Sequence, residues 1–126
     1  MKQIISTSNA PSPIGPYSQA VLYGNTLYTS GQVAVNPQSG EFITETISSE
    51  TTQVMENLKA VLTAGGMTFD HVVKTSIFIS DMNDFAAINA IYGTYFDEAN
   101  APARETVQVA RLPMDVNVEI SMIAMK

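Results

Sequence analysis

The stretch SETTQVMENLKAVLTAGGMTFDHVVKTSIFIS, Ser49–Ser80, changes period in the middle, and that change decides the fold class. In its first half Val54, Leu58, Val61 and Leu62 recur at helical spacing. Ser49 and Glu50 supply an N-cap hydroxyl and an acid in the first turn. Gly65-Gly66 ends the helix. From His71 to Ser80 the residues are strand formers, with Val72-Val73 and Ile77-Phe78-Ile79 at their centre.

Working outward, the pattern repeats. On the C-terminal side Asp81 to Asp84 offer caps for a second helix, with Phe85, Ile88, Tyr92 and Tyr95 as its apolar stripe and Pro102 beyond its end. Two strands follow, Glu105 to Ala110 and Val116 to Met125. On the N-terminal side Tyr17 to Tyr23 and Thr26 to Val33 flank Gly24-Asn25, a two-residue hairpin signal. Ile4 and Ile5 begin a short first strand, and Asn36 to Gly40 read as a turn. The order ββ(β)αβαββ predicts an α+β domain over residues 1–126, a mixed sheet with both helices on one face.

Composition narrows the function. With no Cys, there is no thiol nucleophile, disulfide or thiolate metal site, and a single His makes a transition-metal centre a poor fit. The expected metal and cofactor complement is none. A net charge of −6 with six Lys+Arg does not suit a phosphate backbone, so no nucleic-acid partner is expected. No run reaches the length of a membrane span and the N-terminus has no apolar signal core, so the expected location is cytoplasmic. Charged residues make up only 14% of the chain, which fits burial of uncharged surface between subunits and equally fits a Ser/Thr/Asn-rich monomer surface.

Register arguments locate candidate site residues. A two-residue loop opposes Tyr23 to Thr26, hence Gln19 to Ser30 and Tyr17 to Gln32. The last two strands are expected to pair around a loop at Arg111 to Met114, which opposes Gln108 to Asn117, Thr106 to Glu119 and Arg104 to Ser121 and matches polar with polar. The pairing gathers Arg104, Thr106, Glu119 and Ser121 into one polar patch. A purely structural cross-strand ion pair would produce the same pattern.

Several segments together resemble the Rid family of reactive intermediate deaminases. They are Ile14-Gly15-Pro16-Tyr17-Ser18-Gln19, Ser30-Gly31-Gln32, Val73-Lys74-Thr75, Asn83-Asp84-Phe85 with Asn89, Pro102-Ala103-Arg104, and Ala110-Arg111-Leu112-Pro113 through Val118-Glu119-Ile120. The resemblance spans essentially the whole chain. It implies a chorismate-mutase-like fold, a homotrimer with sites in the clefts between subunits, and hydrolysis of small imino or enamino acids to 2-keto acids and ammonia. It further implies that Arg104 binds the substrate carboxylate and that Glu119 positions or deprotonates water. Tyr17 would close over the pocket, the backbone at Gly31 and Thr106 would line it, and Ser30 and Asn89 would contact or shape it. Two residues depart from the family pattern: Glu105 stands where a small residue is usual, and Thr106 where Cys is frequent. Strand alternation points Glu105 away from Arg104. The other reading is a non-catalytic trimer that binds small carboxylates; ribonuclease activity, also attached to parts of this family, does not suit the acidic charge.

Overall fold

Strands form where β-branched and aromatic residues alternate with polar ones, and six such runs assemble into one sheet. The structure, a computed structural model, describes residues 1–126. The elements are β1 (Lys2–Ile5), β2 (Ala20–Tyr23), β3 (Thr26–Thr29), α1 (Ile47–Ala64), β4 (Val72–Ile79), α2 (Phe85–Tyr92), β5 (Ala103–Gln108) and β6 (Val118–Met125). Sheet order is β1-β2-β3-β6-β4-β5, with β4 and β5 parallel and every other pair antiparallel. No helix is long and apolar enough to cross a membrane.

The first hairpin has the expected register, with Tyr23 opposite Thr26 and the Ser30 amide donating to the Gln19 carbonyl at 2.9 Å. Its strands are shorter than expected. β3 stops at Thr29, where the hydroxyl accepts from the Met122 amide in place of a backbone carbonyl. The chain rejoins the ladder only at Gln32, opposite Ile120. Tyr17 therefore lies in a loop and does not oppose Gln32.

Helix α1 starts three residues earlier than the Ser49 cap implies. Thr46 is the N-cap and Ser49 the third helical residue; each side chain accepts from the other's amide, at 3.0 and 3.2 Å. At the far end Gly65 caps the helix and Gly66 takes φ +77, which glycine adopts without strain. Val54, Leu58, Val61 and Leu62 are fully buried against Leu27, Ile77, Ile120 and Met122. Both helices contribute to this single core, α2 through Ile88 and Tyr92.

The last two strands do not form a hairpin. β6 enters the sheet between β3 and β4, and β5 lies outside β4 as the edge strand. Thr106 therefore opposes Ile77 and Arg104 opposes Thr75, while Glu119 opposes Phe78. Alternation gives the faces of a strand but not its neighbour. The connection over residues 109–117 carries the chain from β5 past β4, and a central β6 pairs along both edges where a hairpin strand would pair along one. Arg104 and Thr106 face the helices. Glu119 and Ser121 face the other side of the sheet, which no element of the chain covers. That bare side carries Ile4, Val21, Tyr28, Ile123, Phe78 and Val107, with Ile4 52% and Tyr28 50% exposed.

Glu50 fixes the start of β6. It has no exposed surface, and its two carboxylate oxygens accept from the Asn117 amide and the Asn117 Nδ2, both at 2.8 Å. Glu50→Ala removes a buried charged acceptor from two part-buried donors and is expected to cost about 2 kcal/mol, read by urea denaturation, with Glu50→Gln costing less because one acceptor survives.

Candidate functional site

Two clefts hold the residues singled out by the sequence, and they lie on opposite sides of the sheet. The first is at the β5 edge beside α2. Arg104 projects from the strand and its Nη1 donates to Asn89 Oδ1 at 2.7 Å. Its guanidinium carbon stands 5.0 Å from the centre of the Tyr92 ring and 5.8 Å from that of Phe85. No carboxylate lies within 4.0 Å of it; the ion pairs of the chain are Lys74–Glu105 and Arg111–Asp115. The contrast between the two arginines is informative. Arg111 is held by two bonds to Asp115, at 2.7 and 3.1 Å, whereas every group that holds Arg104 is neutral. Arg104 thus keeps its charge and most of its five donors for an anion. The adjoining cleft is about 620 Å³ and includes Phe96, Pro102 and Gly93 in its wall.

The edge adds further donors. Val109 N–H donates to the Ile79 carbonyl, so by alternation the amides of Arg104, Thr106 and Gln108 point away from β4 into the open edge. Thr106 Oγ1 is buried and has no partner.

The second cleft, about 480 Å³, is lined by Tyr17, Ser30, Gly31, Pro113, Met114 and Glu119, among others. Glu119 is half-buried and its carboxylate accepts no hydrogen bond within the chain; desolvation pushes its pKa above the ordinary value of 4.5. Glycine at 31 is what makes room for it: a Cβ there would lie 2.9 Å from Glu119 Cγ and overlap the carboxylate. Ser30 Oγ donates to the Ser18 carbonyl at 2.5 Å, tying the Tyr17 loop to β3. The Tyr17 hydroxyl accepts from the Ile14 amide at 3.3 Å, and the ring is 52% exposed.

The patch joining Arg104 and Thr106 to Glu119 and Ser121 is therefore corrected: within one chain β4 separates the two groups, and they face opposite ways. Glu105 does point away from Arg104. It pairs with Lys74 at 2.9 Å and accepts from Ser76, and these contacts hold its carboxyl below the usual range, the Ser76 bond most strongly. Asn89 and Arg104 come together, as do Tyr17, Ser30, Gly31 and Glu119. Sequence reading missed Tyr92 as a neighbour of Arg104, since its place in an apolar stripe hid it. It also missed Met114, whose φ of 57 in the loop before β6 leaves no signal in a bulky residue. No three His, Cys, Asp or Glu side chains converge on a common point.

Glu119 sets a pH dependence. A carboxyl whose folded pKa is raised contributes stability that is complete below the unfolded value and lost as pH rises through the folded one. Glu119→Gln is thus expected to melt at a higher temperature than the parent at pH 7. The difference should close as the pH falls below 4.5, which thermal melts across that range would read directly.

Comparison with known proteins places this geometry in a family. The Endoribonuclease L-PSP family model matches residues 7–126. The chain is 47% identical over 128 aligned positions to the 2-iminobutanoate/2-iminopropanoate deaminase of Escherichia coli K12, covering 100% of this chain and 99% of that one. A Rid-family protein of unknown function from Yersinia pestis, YyfA, superposes with a TM-score of 0.96 at 46% identity over the full length of both chains. E. coli TdcF, crystallised with bound serine, superposes at 0.93 with 45% identity and 98% of each chain covered. With the sheet, the helices and nearly the whole sequence shared, the chain belongs to the Rid family, whose family model carries the L-PSP name.

Proposed function

We propose that this chain is a cofactor-free, cytoplasmic deaminase that hydrolyses 2-imino or enamino acids such as 2-iminobutanoate and 2-iminopropanoate. It acts as a homotrimer of single domains, residues 1–126, with each site between two subunits. The observation that carries the reading is an unsatisfied pair: Arg104 is a cation without an anion, and Glu119 is a carboxylate without a donor. Each occupies half of a pocket, and the bare apolar side of the sheet gives the halves a way to meet. When that side packs against neighbouring copies, the Arg104 edge of one subunit faces the Glu119 cleft of the next. The name of the E. coli relative supports the chemistry, and serine bound to TdcF supports a pocket for a small amino-acid-like ligand.

The reaction follows from the two ends of the substrate. Arg104 holds the carboxylate with parallel N–H donors, and Asn89 keeps the guanidinium in place. The outward amide of Thr106 and the backbone at Gly31 line the pocket, while Tyr17 and the Ser30-anchored loop limit access. Water adds to C2 of the protonated imine and gives its proton to Glu119, forming a carbinolamine. The nitrogen gains a proton, the C–N bond breaks, the hydroxyl loses its proton, and a 2-keto acid and ammonia leave. A carboxyl whose pKa burial raises suits this exchange, because it is a stronger base than a solvated carboxylate and still returns the proton it takes. Imines already hydrolyse in water, so positioning and one base account for the catalysis required. The ribonuclease name attached to the family model finds no support in a chain of net charge −6.

Keto-acid release from an imine generated in place by a dehydratase tests the reading. Glu119→Gln should retain keto-acid binding in calorimetry and lose about 10²-fold in rate. Unchanged rates remove Glu119 from the mechanism, and a parallel loss of affinity makes it structural. A non-catalytic carboxylate binder would show binding with no acceleration in the parent protein. Arg104→Lys should lose tens- to hundreds-fold while staying folded, because a point charge does not reproduce the planar fork. Mixing Arg104→Ala and Glu119→Gln subunits, unfolding them together and refolding should restore activity, with about one site in four intact after random assortment. No recovery, or a mass near 13.6 kDa in light scattering, overturns the shared site.

A further inference from the structure

An exposed arginine on an edge strand is free to sample many rotamers, so something must hold Arg104 in the geometry that a carboxylate needs. Asn89 supplies one hydrogen bond, from the exposed face of α2. The nearest ring is Tyr92, and unlike Asn89 it is fixed from behind. Its hydroxyl donates to Thr75 Oγ1 at 3.0 Å, a bond between two buried side chains. Thr75 has no exposed surface, and on β4 it is the register partner of Arg104 itself. Phe96 packs on the same ring, with centroids 4.8 Å apart. A continuous path therefore runs from the central strands through Thr75 and Tyr92 to the guanidinium.

We propose that Tyr92 is a positioning residue for Arg104. Its ring, pinned by Thr75, is the platform that presents the guanidinium to a substrate carboxylate. The platform is neutral, since burial raises the Tyr92 pKa and keeps the hydroxyl protonated as a donor to Thr75. A neutral aromatic face orients a cation without competing for it as an acid would. Thr75 and Tyr92 divide the work: the ring carries the contact to Arg104, and the hydroxyl fixes the ring.

The affinity part of the test rests on the role proposed above for Arg104, and the spectroscopic part does not. The chain has two arginines, so its Arg Nε–H region holds two resonances, and Arg104→Lys identifies the one from Arg104. In Tyr92→Leu that resonance should lose the Tyr92 share of its ring-current displacement and move toward the position of a solvated arginine, with Phe85 at 5.8 Å the one ring left beside it. The dissociation constant for 2-ketobutyrate should rise about tenfold while kcat changes much less, and Tyr92→Phe, which keeps the ring but loses the hydroxyl that fixes it, should raise it only severalfold. Thr75→Val should loosen the ring and raise the constant severalfold, and Thr75→Val with Tyr92→Phe should recover it, because neither partner is then left unpaired. That second pair decides the matter if Tyr92→Leu does not fold. An unmoved Arg104 resonance with unchanged affinity in Tyr92→Leu overturns the proposal, as does failure of the double variant to recover. If the parent protein binds no keto acid, the proposed function falls, and the resonance alone then decides the role of Tyr92.

Discussion

Antiparallel pairing of β6 along both of its edges is the constraint from which the rest of the molecule follows. A strand with neighbours on each side satisfies its whole backbone row, so its side chains set both faces of the sheet. Val118, Ile120, Met122 and Ala124 go to the helices and are buried. Glu119, Ser121 and Ile123 go to the uncovered side. The central strands leave β5 at the edge, parallel to β4, with a row of amides facing outward and Arg104 on the helix side beside α2. The clamp from buried Glu50 to Asn117 holds the first turn of α1 against the residue just before β6. Helix, sheet and the Glu119 cleft are thereby fixed to one another.

Much of this was legible from the residues. Helical spacing in Val54 to Leu62, the Gly65-Gly66 stop, the Gly24-Asn25 hairpin and the strand at Val72–Ile79 all reflect local rules, and local rules survive in the fold. The Thr46 cap was hidden because Ser49 is also a good cap, and the backbone chose the earlier of two competing hydroxyls. The end of β3 was hidden because a side-chain hydroxyl, that of Thr29, took over a ladder contact.

The hairpin expected from β5 and β6 failed for a more instructive reason. Alternation is a property of one strand, and matching polar with polar scores a pairing without showing that it occurs. Adjacent strands in sequence are often neighbours in space, and here a third strand stands between them. The candidate residues were nevertheless brought into two real clusters. Asn89 lies on Arg104; Tyr17, Ser30 and Gly31 lie around Glu119. What the sequence could not supply was that these clusters belong to opposite sides of the sheet, because that depends on strand order.

The separation also bears on why the unsatisfied groups are tolerated. A half-buried carboxylate without a donor and a buried hydroxyl without a bond at Thr106 each run against what folding alone favours, and the exposed Arg104 is left without an acid. Had β5 and β6 paired directly, Arg104 and Glu119 would have neutralised each other, and neither would be available to a ligand. Placing β4 between them prevents that contact within a chain, while the bare sheet side still allows it across two chains with a ligand between. The distance from Arg104 to any acid and the desolvation of Glu119 are thus one design with two ends. In the proposed reaction a carboxylate substrate completes the first end, and the water it is attacked by completes the second.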